Sequence, residues 1–508
     1  MGGAVELHRA AGHPAAGGLR GNDALAQSLI YTGAAPPARL NLARYCLSGK
    51  PAEKTALIVA GAVTERWTYA ALEDQVLRLA EGLRRAGLEP GERLFIRMGS
   101  SLDYALLFFA ANAMGAVPIP ASPMLTAPEV EKLLRISGAR LLAWDGMLDL
   151  PARDGISLLT PDDIAQAKRS PAGSYADTVA EDPAYLIFTS GTSGAPKGVL
   201  HAQRAVWGRR PMYQGWYGIG PDDVMLHTGA FNWTYTIGTG LCDPFANGAT
   251  AVVYTGYKHP ETWADLVDEH GVTIMASVPG LYRQMLRASF RPASSLRHGL
   301  TAGESLAPAL LHIWREQTGL ELHEALGMSE ISTYISTSPS VPVRPGSPGK
   351  PQPGRAVTIL EDGQIGVHRT DPGLFLRYWG EEPSGDDWFA TGDLGDIDAD
   401  GYVWYRGRAD ELMNAGGFRV SPLEVEAALL QHPQIADAGV REWRVSETAS
   451  IIAAFIVPAD GAQPDEQEIL AFVRERLAAY KCPKQIWFVP ALVRTANGKL
   501  VRKALEKP

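Results

Sequence analysis

From about Leu40 onward, short apolar runs alternate with stretches whose apolar residues recur at helical spacing. TALIVAG (55–61) has the length and apolar density of a buried strand. Residues 68–86 repeat apolar positions every three or four residues, which predicts a helix with Thr68 as N-cap and Gly87 as stop. A second strand is predicted at 91–98, a second helix at 102–114, and a strand at 117–122 that runs into a proline-containing loop. Further along, strands are predicted at 184–190, 248–256 and 272–279, with a helix over 261–269. Strand–helix–strand alternation of this kind implies a mostly parallel sheet with helices on its faces. After about Val341 the texture changes to short strands and turns rich in Gly, Pro and Asp. Beyond Arg408 it changes again, to a helix over 421–430 with Ser421 as N-cap and Pro422 in the first turn, a strand at 451–459, a helix over 464–480 and a strand at 485–492. The expected class is α/β: a large N-terminal domain of parallel-rich sheets with flanking helices and a β-rich subdomain, then a small C-terminal α+β domain.

Composition narrows the function classes. A chain of 508 residues is long enough for several domain-sized units, and 46% hydrophobic with 20% charged residues is ordinary for a globular protein. The formal net charge of −9 argues against nucleic acid as a partner, because phosphate backbones call for a basic face. Cys46, Cys242 and Cys482 are far apart and form no CxxC pair, which leaves a zinc site or disulfide framework without support and suits a reducing cytoplasm. The most apolar stretch, 104–120, is broken by Asn112, Gly115 and Pro118 and falls short of a membrane span. Residues 1–39 read as a Gly/Ala-rich leader and the start of the first domain; no signal h-region stands there, and Glu6 occupies the position where myristoylation wants Ser or Thr.

The most informative segment is TSGTSGAPKGV (189–199). It follows a predicted buried strand and sets Thr189, Ser190, Thr192 and Ser193 around Gly191 and Gly194, with Lys197 at its end. Glycines let backbone N–H groups approach phosphate oxygens, and the hydroxyls add donors. The segment is not a Walker A loop, since Lys197 is flanked by Pro196 and Gly198, and Ala195 spoils a G-x-S-x-G nucleophile elbow. Four more segments follow in order: TAGESL (301–306), LGMSE (326–330), WFATGDLGDIDADGYVWYRGR (388–408) running into RADELMNAGGFRVSPLEVE (408–426), and RTANGKLVRKAL (494–505).

This ordered set resembles the acyl-adenylate-forming enzymes, which comprise acyl-CoA synthetases, peptide-synthetase adenylation domains and luciferases. The resemblance covers nearly the whole chain after the leader. It implies that the 189–197 loop and Ser329 bind the phosphates of ATP and that Glu330 holds Mg²⁺, for which a carboxylate is a sensible hard ligand. Gly303, Glu304, Ser305 and Leu326 would line the adenine; Leu326 stands where the family usually has an aromatic ring. Asp393 would accept from both ribose hydroxyls, with Arg408 as a second ribose or phosphate contact. The domains implied are 40–408, a hinge at 409–412 centred on Asp410, and a mobile lid at 413–508. Gly416 and Gly417 would line a coenzyme A tunnel after the lid rotates, and Lys499 would serve the first chemical step.

The implied reaction has two halves. An acid attacks the α-phosphorus of ATP to give acyl-AMP and pyrophosphate, and a thiol, most simply that of coenzyme A, then displaces AMP. The resemblance implies that the acid pocket is built from the segment after the phosphate loop, from 226–240 and from 301–331, with Trp207, Trp233, Tyr235 and Gly327 as candidates. Its sequence resembles two subgroups at once, one handling short- and medium-chain acids and one handling benzoate-like acids. No Asp lies within 226–240 to pair with an α-ammonium group, which argues against amino-acid substrates. His201, His227 and His323 read as structural histidines. Rival readings are an acyl-AMP ligase that loads a carrier protein and a nucleotide-binding homologue without catalysis; a homodimer is left open.

Overall fold

The computed structural model describes residues 30–190, 196–415, 418–445, 450–494 and 500–508. Its centre is a nine-stranded sheet. Six of these strands are parallel, in the order Glu321–Met328, His298–Ala302, Ile274–Ser277, Val224–His227, Thr250–Tyr254 and Thr55–Ala60. Antiparallel strands finish both edges: Glu65–Thr68 on one side, Ser332–Ser336 and Lys350–Pro351 on the other. A second sheet, ordered Val117–Pro120, Arg93–Arg97, Leu141–Trp144, Ser157–Leu159, is wholly parallel.

The helices Tyr69–Arg85 and Leu102–Ala113 share one apolar core with strands of both sheets. Leu57, Val59 and Ala251 enter it from the large sheet, and Leu94, Ile96 and Leu141 from the smaller one. Leu102–Ala113 buries ten of its twelve residues, which explains its high apolarity without a bilayer. No helix among the described residues is long and apolar enough to cross a membrane. Each fully buried Leu or Phe here contributes about 1.5–3 kcal/mol relative to exposure. Thr68 caps its helix as expected, accepting from the Ala71 N–H.

Several expectations need correction. The strand expected over 272–279 stops at Ser277, because Pro279 opens a helix, Pro279–Arg287, where its missing N–H costs nothing. The helices Ala127–Ser137 and Pro308–Thr318 were not expected at all. The helix expected over 464–480 is Glu466–Arg474, capped by the Asp465 carboxylate. Ser421 does precede the helix Pro422–Leu429, yet its hydroxyl makes no cap bond and is buried without a partner.

Beyond Val341 lies an antiparallel sheet, Val357–Ile359, Gln364–His368, Trp388–Ile397 and Val403–Arg408. The last part of the chain has its own three-stranded sheet, Ile435–Arg444, Ser450–Pro458 and Gln485–Phe488. Its apolar cluster is drawn only from Met413 onward, including Val425, Val440, Ile456 and Ile469. The class read from the pattern, a large α/β body with a β-rich part and a small C-terminal α+β unit, is the observed one.

Candidate active site

The segment 183–202 does not follow the strand–loop–helix plan of a phosphate loop. Pro183–Ser190 and Pro196–Ala202 pair antiparallel, with Thr189 opposite Lys197. The loop therefore tips a β-hairpin, and Gly191, Thr192, Ser193 and Gly194 lie outside the described residues. Thr189 Oγ1 donates to the Lys197 carbonyl at 3.4 Å. A third strand, Arg377–Tyr378, pairs with the hairpin and places Tyr378 opposite Val199.

Tyr378 joins two residues singled out from the sequence. Its ring lies under the Lys197 ammonium, 4.2 Å from ring centroid to Nζ. Its hydroxyl donates to Glu330 Oε1 at 2.8 Å. Glu330 is 9% exposed. Burial raises its pKa; the Tyr378 hydrogen bond, its own backbone N–H, Arg408 and Lys197 oppose that rise. Sequence reasoning missed Tyr378, which sits in no glycine-rich or acidic signature.

Ser329 and Glu330 occupy the turn between the strands Glu321–Met328 and Ser332–Ser336. Three contacts hold this turn: Ile331 N–H donates to the Met328 carbonyl at 3.3 Å, Phe375 N–H to the Glu330 carbonyl at 2.7 Å, and His201 Nε2 to the Ser329 carbonyl at 2.8 Å. Because a carbonyl can only accept, His201 carries its proton on Nε2. Burial drives its pKa down to about 3, and its ring stacks on Tyr185 at 4.5 Å, so it is a neutral support and not a base. His227 and His323 are likewise held neutral by burial, each with a pKa of about 3. Gly327 has a packing reason: a Cβ there would collide with the Ser332 carbonyl. Leu326 is half-buried against the cluster of Val199, Ile331 and Tyr334.

Asp393 and Arg408 are direct cross-strand partners, with Nη1 to Oδ1 at 3.2 Å. Asp393 is 4% exposed and also faces the hydroxyls of Tyr405 at 3.4 Å and Tyr334 at 3.5 Å. Arg408 further donates to the Thr391 carbonyl at 2.8 Å and reaches Asp410 at 3.3 Å. The expected ribose pair and the expected hinge residue are thus linked by one guanidinium.

Gly303 has φ +95°, and a Cβ there would lie 3.1 Å from Trp233 Cη2. Trp233 therefore stands beside the 303–305 loop. Glu304 Oε1 is buried without a partner, and burial raises that carboxyl's pKa against the pull of Arg494 and Arg283. Ser305 is exposed. Tyr235 is 5% exposed, packs edge-on to His227 and donates to the Ser277 carbonyl at 3.1 Å, so it builds the wall behind Trp233. Trp207 does not join this group: it tilts against Tyr45 and donates to the Ala34 carbonyl at 2.7 Å. Gly416, Gly417 and Lys499 lie outside the described residues. Arg502, three positions beyond Lys499, pairs with Glu411 at 2.9 Å and Glu426 at 2.6 Å.

The described site thus brings a cation, a buried carboxylate and a carboxylate–guanidinium pair near one another, the equipment for a polyphosphate and a diol. Comparison with known proteins agrees. The family model "AMP-binding enzyme" matches residues 45–375, and "AMP-binding enzyme C-terminal domain" matches 424–499. The chain is 30% identical to the mitochondrial acyl-coenzyme A synthetase ACSM5 of Mus musculus, over 88% of this chain and 85% of that one. It is 29% identical to the 3-hydroxybenzoate–CoA ligase of Aromatoleum sp. (strain CIB), over 87% and 91%. The crystal structure of the anthranilate CoA ligase AuaEII in complex with anthranoyl-AMP superposes with a TM-score of 0.82 at 27% identity, covering 92% of this chain and 97% of that one. With motifs, fold and site geometry in agreement, the chain belongs to the AMP-binding enzyme family of ATP-dependent, AMP-forming acid–thiol ligases.

Proposed function

We propose that the protein is a carboxylic acid–CoA ligase whose acid is benzoate-like or of short to medium chain length. The observation that carries this reading is the run of contacts Lys197–Tyr378–Glu330, with Arg408, itself paired to Asp393, close enough to act on the Glu330 carboxylate. One relative named for an aromatic acid, the 3-hydroxybenzoate–CoA ligase, and one named for a two-carbon acyl group, the acetyl-coenzyme A synthetase of Bacillus subtilis (strain 168), support the two acid classes.

A free carboxylate repels nucleophiles and has no leaving group; joining it to AMP removes both obstacles. In the first half-reaction the acid attacks the α-phosphorus of ATP in line, and pyrophosphate leaves. Such transfers are catalysed mainly by positioning and charge stabilisation. Lys197 and Lys499 supply positive charge along the phosphates, Ser329 donates to the α-phosphate, and Asp393 with Arg408 holds the ribose. Among the described residues no group of three or more His, Cys, Asp or Glu could hold a metal by itself. The buried Glu330 carboxylate is the group that would hold the ion. When bound, Mg²⁺ would offset the negative charge of the triphosphate. In the second half-reaction the coenzyme A thiolate attacks the acyl carbon and AMP leaves. The lid turns about Asp410 between the halves, withdrawing Lys499 and bringing in Gly416 and Gly417, a domain alternation of hinge type.

The test is incubation of the purified protein with Mg·ATP, coenzyme A and acetate, butyrate, hexanoate, octanoate, benzoate, 2-aminobenzoate or phenylacetate. AMP release together with a thioester identified by mass supports the ligase and selects the acid class. AMP release only when hydroxylamine replaces coenzyme A would redirect the acceptor to a carrier protein. No AMP by either route, with bound ATP detectable, would leave only nucleotide binding.

A further inference from the structure

Arg209 and Asp243 form a buried ion pair whose side chains are 5% and 0% exposed. Nε lies 2.8 and 3.0 Å from the two carboxylate oxygens, and Nη2 lies 2.6 Å from Oδ2. Tyr217 donates its hydroxyl to the same Oδ2 at 2.7 Å and contacts Thr239 at 2.9 Å. The chain makes room for the pair at Gly238, where a Cβ would collide with the guanidinium. Such a pair adds little net stability: desolvation of two charges offsets their attraction, and an apolar pair of similar volume packs as well.

The remaining nitrogen of the fork supplies a reason for it. Arg209 Nη1 donates to Ser332 Oγ at 2.6 Å. Ser332 has φ +69° and, with Ser289, is one of two described non-glycine residues in the left-handed region. A residue with a Cβ is strained there and persists only when its surroundings hold it. Ser332 lies two positions beyond Glu330 and opens the second strand of the hairpin. Its carbonyl passes over Gly327, which leaves the backbone one path.

We propose that Arg209 is a positioning residue for the adenylation site. Asp243 fixes the guanidinium, the guanidinium holds Ser332 in its left-handed conformation, and Ser332 sets the direction in which Ser329 and Glu330 leave the turn. His201 anchors the other end at the Ser329 carbonyl. The inference rests on the roles of Ser329 and Glu330 given under the proposed function.

The experiment compares S332A, S332G, the charge-free double variant R209M/D243L, that double variant with S332G added, and E330Q. Two quantities are read: acid-dependent ATP–pyrophosphate exchange, and the Mg²⁺ concentration that half-saturates the rise in Tm with ATP in the absence of acid. S332A removes the clamp and keeps the strain, so exchange falls about tenfold and more Mg²⁺ is needed. S332G removes both and stays within about threefold of the natural protein, since glycine adopts this backbone freely. R209M/D243L behaves like S332A, and adding S332G to it restores exchange. Equal effects of S332A and S332G, or a folded R209M/D243L with natural exchange and magnesium dependence, would overturn the proposal. Should the double variant not fold, the two Ser332 variants decide alone. E330Q with unchanged magnesium dependence overturns the role of Glu330 and this proposal with it; E330Q impaired beside an unimpaired S332A overturns the positioning alone.

Discussion

Tyr378 donates its hydroxyl to the Glu330 carboxylate at 2.8 Å while its ring carries the Lys197 ammonium at 4.2 Å. One side chain therefore touches both the end of the phosphate hairpin and the expected metal carboxylate. The hydroxyl bond stabilises the charged form of Glu330, which burial opposes. In Y378F the ring, and with it the cation–π contact, remains, but the hydrogen bond is gone. The Glu330 pKa then rises further, and the acid limb of the adenylation rate against pH moves to higher pH. An acid limb left where it was would show that the hydroxyl does not govern this carboxylate.

Lys499 is expected to serve the first half-reaction alone. K499A should lose adenylation while still forming thioester from pre-made acyl-AMP and coenzyme A. Measuring both halves separately checks this division. Equal loss of the two would remove it.

Trp233 stands against Gly303, its ring 3.1 Å from where a Cβ would lie. Replacing Trp233 by Ala removes an indole from what we take as the acid pocket. The kcat/KM of octanoate relative to benzoate should rise about tenfold, with the KM for ATP little changed. A ratio that stays put, or a matching change in the KM for ATP, would place Trp233 in the nucleotide site or the core instead.

How legible all this was depended on how local each signal is. The parallel sheets were readable in part, because elements such as Thr55–Ala60 and Tyr69–Arg85 announce themselves by their own apolar period, while Leu141–Trp144, His298–Ala302 and the helix Ala127–Ser137 went unread. Asp393 and Arg408 were singled out by their resemblance to the family's motifs, and their contact is local because the segment between them folds on itself as a hairpin. Tyr378 meets Glu330 across 48 positions, and no residue near either one signals the other. Ser332 was hidden for a different reason: its left-handed backbone is imposed by Arg209 and the Gly327 crossing, whereas local propensity favours neither. The helix Pro279–Arg287 was lost because the preceding apolar run reads as strand to its last residue. The antiparallel partner of Pro183–Ser190 went unread because Pro196, Lys197 and Gly198 leave the first half of Pro196–Ala202 without an apolar alternation.

Glu324 offers a prediction about stability. It is 8% exposed on the strand Glu321–Met328, and its Oε1 accepts from the Leu306 N–H at 2.9 Å, just past the 303–305 loop. Burial raises its pKa from 4.5 to about 7, and the Leu306 hydrogen bond only partly opposes that. A carboxyl raised in this way binds its proton more tightly folded than unfolded. Its stabilising effect is complete below about pH 4.5 and is lost as pH climbs through about 7. The shift corresponds to about 3 kcal/mol between the two limits. Glutamine at 324 keeps an oxygen for the Leu306 N–H but cannot ionise. The Tm of E324Q should therefore gain on that of the natural protein between pH 5 and pH 8, and the two should run closest at the acid end. Parallel Tm curves across that range would mean that Glu324 keeps its charge in the folded protein through contacts other than Leu306.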